Sequence, residues 1–146
     1  MPGFELIGTE EKKAITDLFD QGSVFFAHGF DNKRKRYCVR EFERALSSKF
    51  SSAHVNCVSS GTAAIKIALK ALGVGPGDEV ITQAFNFVAT VEAIYDVGAT
   101  PVIVGIDETL NLNPVELDRA ITKKTKAIIP VHMLGVPAEM TQIQSI

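Results

Sequence analysis

The chain has 146 residues, enough for one domain that buries about 70% of the surface its unfolded form exposes. A net charge of −2 argues against a general nucleic-acid binder, which needs a basic surface to displace phosphate counterions. The amino terminus lacks the charged-then-apolar order of a signal peptide, and no apolar run approaches the roughly 18 residues of a membrane span, so a cytoplasmic location is expected.

Thr9, followed by Glu10 and Glu11, reads as a capped helix start, with Ile15, Leu18 and Phe19 along one face as far as Gly22. Ser23 to Asn32 is apolar, carries Phe25, Phe26 and Phe30, and repeats at neither helix nor strand period, as expected of a segment lying against another surface. Lys33-Arg-Lys-Arg36 is the one basic run, open to two readings: a solvated loop, or a clamp for a phosphate-bearing substrate. From Tyr37 a second helix places Val39, Phe42, Leu46 and Phe50 on one face and Arg40, Glu41, Arg44 and Lys49 on the other.

Val55, Cys57 and Val58 predict a buried strand. Ile65, Leu69 and Leu72 then predict the inner stripe of a helix. Glu79–Thr82 is a second strand, Gln83–Phe87 its exit loop, and Val88 to Tyr95 a helix closed by Gly98. Pro101–Ile106 and Ala127–Val131 are continuous apolar runs suited to strands covered on both faces. Between them Asn113 caps a helix that begins at Pro114, with Val115, Leu117 and Ile121 expected to face inward. This alternation predicts an α/β fold, a mostly parallel sheet with helices on both faces and strand carboxyl ends gathered on one rim. Cys38 and Cys57 form no metal-ligand pattern with each other or with His28, His54 and His132, and read as thiols.

The turn Ser59-Ser-Gly-Thr62 sits where the strand period gives way to the helix period. A helix starting at Gly61 leaves its first N–H groups without intrahelical acceptors, places partial positive charge there, and carries no Cβ to keep an anion at a distance. Two readings stand side by side: Ser60 or Thr62 caps the helix, or the turn binds a phosphate. Asp107 and His132 follow predicted strands and are open between rim chemistry and structural roles.

The ordered motifs Val-Ser-Ser-Gly-Thr-Ala-Ala-Ile (58–65), Leu-Gly-Val-Gly-Pro-Gly-Asp-Glu-Val-Ile (72–81), Ala-Phe-Asn-Phe-Val-Ala-Thr (84–90), Val-Gly-Ala-Thr-Pro-Val (97–102) and the segment from Lys126 to Met140 resemble the DegT/DnrJ/EryC1/StrS family of pyridoxal-phosphate-dependent sugar aminotransferases. The resemblance implies the amino-terminal part of the large domain of the aspartate-aminotransferase-like fold (PLP fold type I). Residues 1–146 would be one incomplete domain, with helices and loop over 1–53 and the α/β core over 54–146. It implies that Ser60, Gly61 and Thr62 hold the cofactor phosphate and that Phe87 stacks on the pyridine ring, leaving Phe85 as a core residue. It also implies a homodimer acting on a nucleotide-activated keto-sugar with an amino-acid donor, as in polysaccharide biosynthesis.

The family's cofactor-linking lysine and the acid that pairs the pyridinium nitrogen lie in motifs beyond the matched segment. Lys66, Lys70, Lys123, Lys124 and Lys126 match neither, so no catalytic residue is assigned and the chain alone is expected to be inactive, a fragment or truncated relative of such an enzyme. A sugar dehydratase of the same family and a non-catalytic phosphate-binding or assembly module are the alternatives. No metal site, nucleic acid or membrane partner is expected.

Overall fold

The computed structural model describes residues 3–21 and 36–146; the apolar segment Ser23–Asn32 and most of the basic run fall outside them. Two compact units divide the chain, Met1–Cys57 and Val58–Ile146.

In the first unit a 3-10 turn, Phe4–Leu6, precedes α1 (Thr9–Asp20) and α2 (Cys38–Phe50). Gly8, not Thr9, is the N-cap of α1: the Gly8 N–H donates to Glu11 Oε2 at 2.7 Å, so the acid three residues on satisfies the helix start. Arg36, the described member of the basic run, pairs with Glu41 at 3.0 Å. The expected apolar face of α2 is only half realised, because no residue of that helix is buried and Phe42 and Phe50 are 56% and 68% exposed.

Residues 55–58 are a correction. They have no ladder partner among the described residues and form no strand, and Cys57 is a half-buried thiol rather than a buried strand residue. Extended backbone becomes a strand only when a neighbour supplies acceptors and donors. Here the Cys57 N–H donates instead to the Glu43 carboxylate at 2.8 Å.

The second unit opens with α3 (Gly61–Ala71), followed by β1 (Glu79–Gln83), α4 (Ala89–Asp96), β2 (Thr100–Val104), α5 (Pro114–Ala120), β3 (Thr125–Ile129) and α6 (Met140–Ser145). The three strands are parallel in the order β2-β1-β3. Their period of two sorts neighbouring apolar residues onto opposite faces. Val80 packs with Leu69 of α3, Ile94 of α4, Val97 and Ala99. Ile81, one residue on, packs with Val104, Leu112, Leu117 of α5 and Ile143 of α6. Helices therefore cover both faces, and strands this apolar need that.

Three inward assignments change. Leu72 is 63% exposed because α3 ends at Ala71, and Gly73, at φ 74, turns the chain away. In α5 only Leu117 is fully buried; Val115 is 59% exposed and Ile121, past the helix end, 39%. Val115 and Leu117 are two positions apart, about 200° around a helix, so Val115 faces away when Leu117 meets the sheet, and Ile121 lies past the last turn. Asn113 caps α5 as expected, its Oδ1 accepting from Val115 N–H at 2.9 Å. At the end of α4, Gly98 adopts φ 86, and a Cβ there would lie 3.0 Å from Pro76 Cγ.

Candidate functional site

Parallel strands put three exits on one rim: 84–88 after β1, 105–112 after β2 and 130–138 after β3. The amino terminus of α3 lies on the same side. Its Lys66 pairs with Asp96 at the carboxyl end of α4 at 2.8 Å, and the turn that follows α3 brings Pro76 against Gly98. With both carboxyl ends together α3 and α4 run the same way, so Gly61 and the loop that enters α4 share the rim.

The helix start itself is simple. Ser60 is the N-cap, and its Oγ accepts from the Ala63 N–H at 3.1 Å, so the capping reading holds for Ser60. Among the described residues the N–H groups of Gly61 and Thr62 have no protein acceptor. Ser60 and Gly61 are exposed, Thr62 is half-buried, and a Cβ on Gly61 would meet nothing within 4 Å. Gly61 is therefore needed neither for a left-handed turn nor for packing within the chain. What its missing side chain leaves is open space over two unsatisfied amides and a hydroxyl whose proton is still free to donate. That donor set fits a phosphate.

Phe87 is 76% exposed in the loop after β1, an aromatic face available to a flat ring. Phe85 is 49% exposed in the bend that follows β1 and is not the core residue expected. Asp107 is a turn residue: its Oδ1 accepts from the Thr109 hydroxyl at 2.5 Å and from the Thr109 and Asn111 N–H groups at 2.8 and 3.3 Å. The Thr109 hydroxyl holds this carboxyl below its ordinary value against the opposing effect of desolvation, and the two backbone bonds add to it. His132 Nδ1 accepts from the Ala138 N–H at 3.0 Å, which leaves the ring proton on Nε2 and gives the imidazole a structural task.

Sequence reasoning missed the buried amides that tie the rim together. Asn111 is fully buried; its Oδ1 accepts from Met133 N–H at 2.8 Å, and its Nδ2 reaches Thr109 Oγ1 at 2.9 Å and the Val136 carbonyl at 3.2 Å. Gln83, 1% exposed, is similarly engaged. The signal was present: strand period places Gln83 on the same inward face as Ile81, and a polar residue there must find partners.

Comparison with known proteins gives the family of the chain. A profile of the DegT/DnrJ/EryC1/StrS aminotransferase family matches residues 10–146, and the chain belongs to that family. It is 41% identical over 142 residues to the spore coat polysaccharide biosynthesis protein SpsC of Bacillus subtilis, a match covering 97% of this chain and 34% of SpsC. To a UDP-N-acetyl-3-dehydro-alpha-D-glucosamine 3-aminotransferase of Acidithiobacillus ferrooxidans it is 45% identical over 108 residues, 73% of this chain and 29% of that protein. The crystal structure of NtdA from Bacillus subtilis with bound cofactor PMP aligns at a TM-score of 0.82 and 36% identity, over 96% of this chain and 31% of that one. The fold is thus part of the pyridoxal-phosphate aminotransferase architecture, and the chain spans about a third of the length of the curated relatives it matches.

Proposed function

We propose that this chain supplies the phosphate cradle and ring platform of a pyridoxal-phosphate enzyme that moves an amino group between an amino acid and a keto group on a nucleotide-activated sugar. The observation that carries the reading is the pair of unsatisfied amides at Gly61 and Thr62 beside the Ser60 cap. Ser60 Oγ–H, the Thr62 hydroxyl and these two N–H groups donate to the phosphate oxygens, and the positive end of α3 adds roughly 0.3–1 kcal/mol. The Phe87 face fixes the plane of the pyridine ring, an aromatic contact worth about 0.5–1.5 kcal/mol beyond burial. When bound, pyridoxal phosphate supplies the electron sink that lets an amino group leave one carbon and join another.

The lysine that links the cofactor is a different matter. Lys66 is held by Asp96 on the flank of α3, Lys70 is exposed one turn further from the rim, and Lys123, Lys124 and Lys126 lie at the amino end of β3, opposite the rim. Lys12 and Lys49 are exposed on α1 and α2, and Lys13 pairs with Asp17 at 2.8 Å. We read the complete catalytic set as drawing on residues outside 1–146, within one larger domain to which both units belong, in keeping with a chain that spans a third of its relatives. Such an enzyme works in the cytoplasm as a homodimer.

The test of the cradle is a titration of the purified chain with pyridoxamine phosphate and with pyridoxamine. Binding should depend on the phosphate, weaken about tenfold in Thr62→Ala through lost contacts at the helix start, and weaken again in Phe87→Ala. Equal affinity for the two ligands, or no response to either substitution, contradicts the assignment.

A further inference from the structure

Gln83 closes β1 with a side chain that is almost wholly buried, yet none of its polar capacity is idle. Its Oε1 accepts from the Val131 N–H at 2.9 Å, and its Nε2 donates to the Phe85 carbonyl at 3.2 Å and the Leu110 carbonyl at 3.0 Å. One amide therefore ties together the exits of all three strands. The topology makes this junction a demanding one. β1 leads to α4 on one face, whereas β2 and β3 lead to α5 and α6 on the other, so the chain diverges on both sides of β1 and leaves crevices at the rim. Gln83 bridges both. Its contact with Leu110 also pins a residue in the left-handed region, at φ 65, where a leucine is held only by its surroundings. The same turn is gripped from a second point, because Asn86 Nδ2 donates to the Gln83 carbonyl at 2.6 Å and to Thr82 Oγ1 at 3.2 Å.

We propose that Gln83 is a positioning residue for the aromatic platform: by holding the Phe85 carbonyl against the fixed exits of β2 and β3, it sets the turn that presents Phe87 at the rim. The inference rests on the reading of Phe87 as the ring-stacking residue. Only glutamine meets the requirement at this position, since the junction needs two donors and one acceptor at the reach of a four-atom side chain; glutamate keeps the acceptor and loses both donors, and leucine loses all three. The residue touches no ligand and acts through the backbone of 85–87.

The chain contains no tryptophan, so Phe87→Trp installs a single indole reporter on the turn of the full chain. In that background Gln83→Glu should lower the reporter's fluorescence anisotropy without ligand, and should weaken pyridoxamine phosphate binding about tenfold, the scale of buried carbonyls left unpaired. Affinity for inorganic phosphate, which needs only the donors at the start of α3, should be unchanged; a parallel loss of both ligands means general loosening and overturns the proposal. So does a folded Gln83→Glu chain with unaltered anisotropy. Failure of the parent chain to bind pyridoxamine phosphate sinks the cofactor reading instead, while the ligand-free anisotropy still decides the role of Gln83. Should Gln83→Glu not fold, amide exchange in the unsubstituted chain serves: the Val131 N–H should exchange as slowly as the amides of β1, and unprotected exchange there contradicts the bond on which the proposal stands.

Discussion

Asp107 shows how a rim carboxylate can be occupied without being chemical. All of its contacts run to Oδ1 from Thr109 and Asn111 within its own turn, and they favour the charged form. The folded chain therefore holds this group below its ordinary value of 3.8. A lowered folded pKa contributes stability that is fully present above the unfolded value and is lost as pH falls through the folded one. Denaturant midpoints measured from neutral pH downward should thus decline below about pH 4 in part through Asp107. Asp107→Asn keeps an Oδ1 acceptor but loses the charge, and should flatten that limb by lowering neutral-pH stability toward its acid value; an identical acid limb in the variant contradicts the assignment. From sequence this residue was open between rim chemistry and a turn, because Asp after a strand suits both and only the positions of Thr109 and Asn111 decide.

α5 carries the clearest test of what periodicity reads well and what it does not. Spacing alone grouped Val115, Leu117 and Ile121, yet Leu117 is fully buried against Ile81 while Val115 faces outward. Leu117→Ala should cost about 2–5 kcal/mol, the range for a core leucine, and Val115→Ala should stay within about 0.5 kcal/mol. Urea denaturation of the two variants checks this, and similar losses would restore the three-residue stripe. The strands β2 and β3 were legible because continuous apolar runs mark strands covered on both faces, β1 because the Gly-Val-Gly-Pro-Gly-Asp turn precedes it, and α3 and α5 because Ser60 and Asn113 mark their starts. Residues 55–58 were misread for the converse reason. Their composition suits a strand, but a strand is a property of a pair, and no partner for them is present among the described residues. Gln83 and Asn111 escaped notice because polar residues beside turns are ordinarily solvated, and their burial depends on loops distant in sequence.

At the scale of the whole chain, the three-stranded sheet ends at β2 and β3 with no further strand among the described residues, and Phe4, Leu6, Phe42 and Phe50 are more than half exposed. Edges and apolar faces of this kind favour association. Sedimentation should show concentration-dependent self-association, and a monomer at every concentration would contradict this expectation.

Among the described residues of the second unit the rim brings together the helix start at Gly61, the exposed Phe87 ring and the amide ties of Gln83 and Asn111, but no lysine. Attack on the cofactor is fast only when the amine is held close. The decisive measurement mixes the purified chain with pyridoxal phosphate, follows the visible absorbance, reduces with borohydride and maps any lysine adduct by mass spectrometry, with and without an amino-acid donor. The account predicts phosphate-dependent binding sensitive to Thr62→Ala and Phe87→Ala, scattered substoichiometric reduction and no amino-acid-dependent turnover. A stoichiometric adduct on one specific lysine, with turnover, would contradict it and place the catalytic residue within these 146 residues.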